Sequence, residues 1–128
     1  MTPDFKSFSK MSSTPEDRFI GKCLMMVTYT HVAHFMVKSY SQHMALGDFY
    51  EQLQDHVDEF AEVYVGTGMP YRPVLSLNPS FDAITEIKAL AAEADTIRSE
   101  LDSSLQTILD DIKSLCFRTI YKLDRDWE

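Results

Sequence analysis

The chain has few of the residues that build ligand-cradling loops, and few bases. Only 4 of its 128 residues are Gly and no glycine motif repeats, which excludes the phosphate-binding loops of nucleotide enzymes. With 12 Lys+Arg against 20 Asp+Glu, the formal charge is -8 and the pI is near 4.9. A polyanion is repelled by such a surface, so nucleic acid is excluded as the main partner. The longest apolar run near the start, Cys23-Leu24-Met25-Met26-Val27, is far short of a membrane span or a signal-peptide core, and no membrane partner is expected. The 2 cysteines, Cys23 and Cys116, each fall on an apolar helical stripe. That is the setting of reduced core thiols in a cytoplasmic protein rather than of a disulfide. No Ser/His/Asp or Cys/His set is placed for nucleophilic attack, and hydrolase chemistry is not expected.

What is present is helical periodicity. Residues 1–14, rich in Ser, Thr and Pro, read as a flexible arm, and 15–128 as a single domain. Thr14-Pro15-Glu16-Asp17 has the capping hydroxyl, early proline and acids of a helix start. Apolar spacing through Ile20, Cys23, Leu24, Val27, His31, His34 and Phe35 predicts a helix over about 15–37. A second helix, capped by Ser39 or Ser41, carries Leu46, Tyr50, Leu53, Val57, Phe60 and Tyr64, and Gly66 closes it. Three prolines and two glycines make 66–79 irregular. Asn78-Pro79-Ser80 then opens a stripe from Phe81 to Leu101, and another runs from Leu105 to Leu123. Only Asp102-Ser103-Ser104 separates these two, so one helix over 81–123 is the alternative. Splitting there gives four segments of about 20–25 residues, the near-equal lengths of a four-helix bundle.

Lengths also set the topology. The short first turn makes the first two helices antiparallel. Segment 66–79 reaches about 45 Å at ~3.3 Å per residue, more than the roughly 33 Å of a 22-residue helix. It can therefore cross the whole bundle and make the second and third helices parallel. The expected fold is all-α: a four-helix bundle with a long crossover between its second and third helices, the ferritin-like arrangement.

All four histidines, His31, His34, His43 and His56, lie on the first two helices. Imidazoles beside carboxylates suit iron, zinc or manganese; two core histidines and a solvated acidic face are the plainer reading. His34 and His43 flank one tight turn and can meet within a chain. His43 and Asp58 stand about 22 Å apart along one helix, so a site using both needs a second copy, with the second helices antiparallel across a twofold axis. The Glu-x-x-His pair of a buried di-iron centre is absent, because no histidine follows His56.

The stretch from His34 to Gly66 resembles the first hairpin of the miniferritins, the DNA-binding proteins from starved cells. The matching residues are His34-Phe35, His43 and Asp58-Glu59-Phe60-Ala61-Glu62. More closely, residues 20–123 resemble a small ferritin-like family of tailed bacteriophages, with a Lys38-Ser39-Tyr40 turn, a His43-Met44-Ala45-Leu46 step and Leu105–Ile112 as its closing segment. The miniferritin resemblance implies iron held between twofold-related subunits by His34 and His43 of one chain and Asp58 and Glu62 of the other, with His31 competing for the first role. Three departures stand against it. The family acid one turn after the second histidine falls at Gly47, the first turn is shorter, and the arm carries only Lys6 and Lys10.

Three functions follow as expectations. One is an iron-binding, iron-oxidising oligomer. Another is a metal-free bundle acting as a phage structural or interaction protein, in the host cytoplasm or on the virion. A small-ligand binder using Tyr64, Tyr71, Arg72 and Phe81 is the third. Each expects self-association, because Tyr40, Phe49 and Tyr50 put more aromatic surface round the second helix than one core needs.

Overall fold

The computed structural model describes residues 12–124. The arm expected at 1–14 lies outside the described residues as far as residue 11, as does the end of the chain from 125 on. Four helices follow one another: α1 (Pro15–Met36), α2 (Tyr40–Gly66), α3 (Ala83–Ile97) and α4 (Ser103–Asp124). A 3-10 turn, Arg98–Glu100, joins the last two, and there is no strand among the described residues. The all-α bundle and its broken third segment stand as expected.

α1 starts where its sequence says. The Thr14 hydroxyl accepts the Asp17 N–H at 3.0 Å and Asp17 returns the contact to the Thr14 N–H, so two orphan donors of the first turn are satisfied. The Thr14 and Tyr64 hydroxyls, 2.8 Å apart, tie the start of α1 to the end of α2, which makes the pair antiparallel. Pairs Arg98–Asp110 and Lys113–Asp95 do the same for α3 and α4. α1 packs on α2 and α3, and α4 packs on the same two. Phe19, Cys23, Phe49, Leu53, Phe60, Ile87, Leu90, Leu109, Ile112 and Cys116 fill the centre. Each of these Phe, Leu and Ile side chains contributes about 1.5–3 kcal/mol by leaving water.

The crossover travels the length of α1. Arg72 pairs with Asp17, the Ser76 N–H meets Met25 Sδ and the Asn78 N–H donates to the Tyr29 hydroxyl. The chain thus passes from the start of α1 towards its end before α3 begins, so α2 and α3 are parallel. Two boundaries differ from expectation. α3 has 15 residues rather than 20–25, because the crossover stays extended until Asp82 caps the helix, held there by Phe81 stacked on Tyr29 at 4.7 Å. Gly66 remains helical, and the chain reverses at Gly68, whose φ of 99° favours glycine.

Candidate functional site

α1 stops at Met36 because Val37 turns extended, and Ser39 caps α2 by accepting the Gln42 N–H. Three residues of turn thus set His34 against His43. Each ring donates Nδ1–H to the other residue's carbonyl, at 2.6 Å for His34 and 2.8 Å for His43. A carbonyl only accepts, so both rings carry their proton on Nδ1 and keep a lone pair on Nε2. His43 in this way caps a carbonyl in the last turn of α1, where intrahelical donors have run out. The rings stack with centroids 3.6 Å apart and planes 20° from parallel. Gly47 makes room: a Cβ there would come within 3.1 Å of His34 Cε1 and 3.3 Å of its Nδ1.

The stack continues outward. His31 lies over Tyr50 at 4.2 Å and beside Phe35 at 5.1 Å, and Tyr40 approaches His43 at 6.1 Å. Phe35 is 73% exposed and Tyr40 75%. His31 is exposed and His34, His43 and Tyr50 are half-buried, so none of these histidines is a core residue. Phe49, expected among the surface aromatics, is fully buried, because it sits on the core side of α2 with Leu46 and Leu53.

The structure brings together three of the five expected metal ligands, His31, His34 and His43. Asp58 and Glu62 lie exposed about four and five turns further along α2. Near-parallel stacked rings hold their Nε2 lone pairs in separate planes, so one ion cannot lie in both planes at once. The position one turn after His43, where an acid would complete the set, is the glycine under His34. Among the described residues no group of three His, Cys, Asp or Glu within the chain could hold a metal ion. As they stand in one chain, these residues do not fit iron.

Of the residues proposed for a small ligand, Tyr64, Tyr71 and Arg72 gather near Asp17, with the Tyr64 hydroxyl taken by Thr14 and Arg72 locked on Asp17. Phe81 stands apart by Tyr29 near the opposite end of the bundle, because the crossover that carries it spans the bundle. Both cysteines are free and buried. Burial pushes the Cys116 thiol up to about 12 and raises Cys23 as well, so neither is a thiolate near neutrality.

Three features escaped the sequence reading. Asp17, read only as a first-turn acid, is completely buried, and its carboxylate accepts from the Thr14 N–H, the Arg72 N–H and Arg72 Nε. Gly21 lies directly beneath the Val74 carbonyl, which leaves no space for a Cβ. The reciprocal bonding of His34 and His43 is the third. Glycines in the interior of a helix are a legible sign of close approach, and Gly21 and Gly47 both carried it.

A family model matches residues 34–123, and its description is "Family of unknown function (DUF5856)". The chain belongs to this family. The matched segment opens on the α1–α2 turn and takes in His34, His43, Asp58 and Glu62, whereas His31 precedes it. Over 124 residues the chain is 32% identical to the "Uncharacterized 14.6 kDa protein in mobD-ri intergenic region" of Enterobacteria phage T4, covering 94% of each. The phage resemblance thus has a phage relative beside it. No solved structure matches the chain, and no helix among the described residues is long and apolar enough to cross a membrane.

Proposed function

We propose that the chain is a phage interaction protein whose working surface is the exposed face of α1 and the ring ladder beside it, and that it does its work by binding rather than by catalysis. One observation carries this. The fifteen residues Cys23–Val37 contain no Asp, Glu, Lys or Arg, yet Leu24, Thr28, His31, Val32, Phe35 and Met36 are exposed. A helix face meant for water is charged or strongly polar; an uncharged one edged with aromatic rings and methionine has the composition of an interface core. The test is photo-crosslinking in infected cells, with benzoylphenylalanine in place of Phe35 or of Glu100, an exposed residue at the far end of the bundle. Adducts from position 35 and none from position 100 are expected. The reverse pattern would sink the reading.

Iron held between subunits is the second reading. What favours it is that both Nδ1 atoms are already bonded to carbonyls, the second contact that metal-binding imidazoles usually make, with Nε2 free to ligate. It requires His34 and His43 to unstack, and Asp58 and Glu62 to come from another copy. Ferrous iron added in air, followed by desalting and metal analysis, tests it: about one half to two irons per chain, lost in His43→Ala, supports the site, and none retained ends it.

A further inference from the structure

The outward stripe of α1 runs through Asp17, Gly21, Leu24, Thr28, His31 and Phe35, six positions that fall within about 80° of one another at 100° per residue. The crossover covers the first two, with Arg72 on Asp17 and the Val74 carbonyl on Gly21. It then slides round the helix to Met25 and Tyr29. From Leu24 to Phe35 the stripe has no cover, and all four of its side chains are exposed.

We propose that a second copy of this chain covers that half-stripe, with the two α1 helices antiparallel across a twofold axis. This rests on the binding role proposed above and names its partner. Three observations point to a second copy in this orientation. The gaps between Leu24, Thr28, His31 and Phe35 are four, three and four residues, the same read from either end. An antiparallel pair therefore sets Leu24 against the partner's Phe35 and Thr28 against the partner's His31, the self-complementarity a twofold interface requires. Each chain carries a net charge of -8, and the face from Cys23 to Val37 contributes none of it, so the two α1 helices can close there without acid meeting acid.

The flanks then decide direction. Beside α1 on one side runs α2, whose first eight residues, Tyr40–Gly47, are uncharged and whose six acids all follow. On the other side lies the crossover, with Leu75 and Leu77 exposed. His34 stands level with His43, so antiparallel pairing sets Asp48 beside its own copy at the axis, brings Glu51 and Asp55 over the uncharged first turns of the partner's α2 and Asp58 towards the partner's Lys38, and crossover meets crossover. A parallel twofold would lay Glu51 and Asp55 on the partner's Leu75 and Leu77, removing carboxylates from water with no counter-charge. The part of the α1–α2 face that overlaps in this pairing measures about 21 Å by roughly 20 Å, on the order of 400 Å² per copy and 800 Å² in total, the size of a weak, reversible interface.

Light scattering and cysteine trapping of the full chain test this. The expected mass is twice 14.7 kDa. Phe35→Glu should raise the dimer dissociation constant at least about thirty-fold, because it puts a carboxylate against the partner's Leu24 in place of an aromatic anchor, with an unchanged circular dichroism spectrum. Thr28→Cys stands close to the axis and should form a covalent dimer on mild oxidation. Leu24→Cys should not, because its own copy lies roughly 16 Å away along the helix. A monomer at 100 µM, a dimer indifferent to Phe35→Glu, or trapping by Leu24→Cys as fast as by Thr28→Cys each overturns the proposal. A monomer that still gives adducts from position 35 in infected cells would leave the binding role standing and remove only the second copy.

Discussion

α1 and α2 lie side by side and turn opposite faces to solvent. The outer side of α2 carries Asp48, Glu51, Asp55, Asp58, Glu59 and Glu62 and no base, while that of α1 carries no formal charge over its last two-thirds. Both bury a full apolar stripe in the same core, so the difference is not one of folding. Six like charges on one helix cost the fold something through repulsion and keep that surface wet. An uncharged helix face with exposed Phe35 gains nothing as a wet surface. Where two helices of one hairpin solve the core equally and differ only outside, the outside is where function is written.

The contrast stands only while α1 keeps its rotation, and the largest predicted effect breaks that. Arg72→Met leaves the Asp17 carboxylate buried and unpaired, at a cost of about 3–5 kcal/mol. Urea denaturation measures it, and a loss under about 1 kcal/mol would show that the crossover is not held by this pair. Gly21→Ala, pushing its Cβ into the Val74 carbonyl, should cost about 1–3 kcal/mol by lifting the crossover off the stripe. Next comes a pair that sharpens the comparison. Phe49→Ala opens a cavity in the core and should cost about 3–5 kcal/mol, whereas Phe35→Ala, assayed at sub-micromolar chain, should stay within about 0.5 kcal/mol of wild type. Equal costs would make the α1 face part of the core after all.

Much of this was legible in the sequence, for a physical reason. Helix spacing and the reach of segment 66–79 are local arithmetic, and they deliver four helices, their directions and the long crossover. The caps at Thr14 and Ser39 were readable for the same reason. What spacing cannot show is rotation about each helix axis and what lies across it. His31 and His34 share an apolar periodicity with Val27, which makes core histidines the plainer of their two readings, yet His31 is exposed and His34 only half-buried. Asp17 looked like any first-turn acid because its partner is fifty-five residues away. Close approach of His34 and His43 followed from the turn, but their stacking depended on Gly47, whose missing side chain has meaning only once the neighbouring helix is in place.

A smaller effect belongs to the joint between the two faces. His34→Ala and His43→Ala each remove one Nδ1–H bond and the stack, at about 1 kcal/mol apiece. The two rings touch, so the double variant should fall short of or exceed the sum by at least about 0.5 kcal/mol. Strict additivity in a double-mutant cycle would mean that the rings are neighbours without being coupled.

The smallest effect separates the two hairpins by pH. α2 is capped by the hydroxyl of Ser39, which does not titrate, whereas Asp82 caps α3 and Asp102 accepts from Ser104 in the first turn of α4. Bonds from the Thr85 side chain and then its backbone hold Asp82 below its ordinary value of 3.8, and the Ser104 hydroxyl and N–H do the same for Asp102. A carboxyl whose pKa is lower folded than unfolded lends stability that is complete above the unfolded value and disappears as pH falls through the folded one. Acidification below 3.8 should therefore loosen the starts of α3 and α4 while the start of α2 is unaffected. Amide exchange followed from pH 5 down to 3, corrected for its intrinsic pH dependence, should show protection falling at Thr85 and Ser104 before Gln42. Asp82→Asn should flatten the response at Thr85 alone. Equal loss at all three would place the acid response in the core the hairpins share, and the two faces of the molecule would then melt as one.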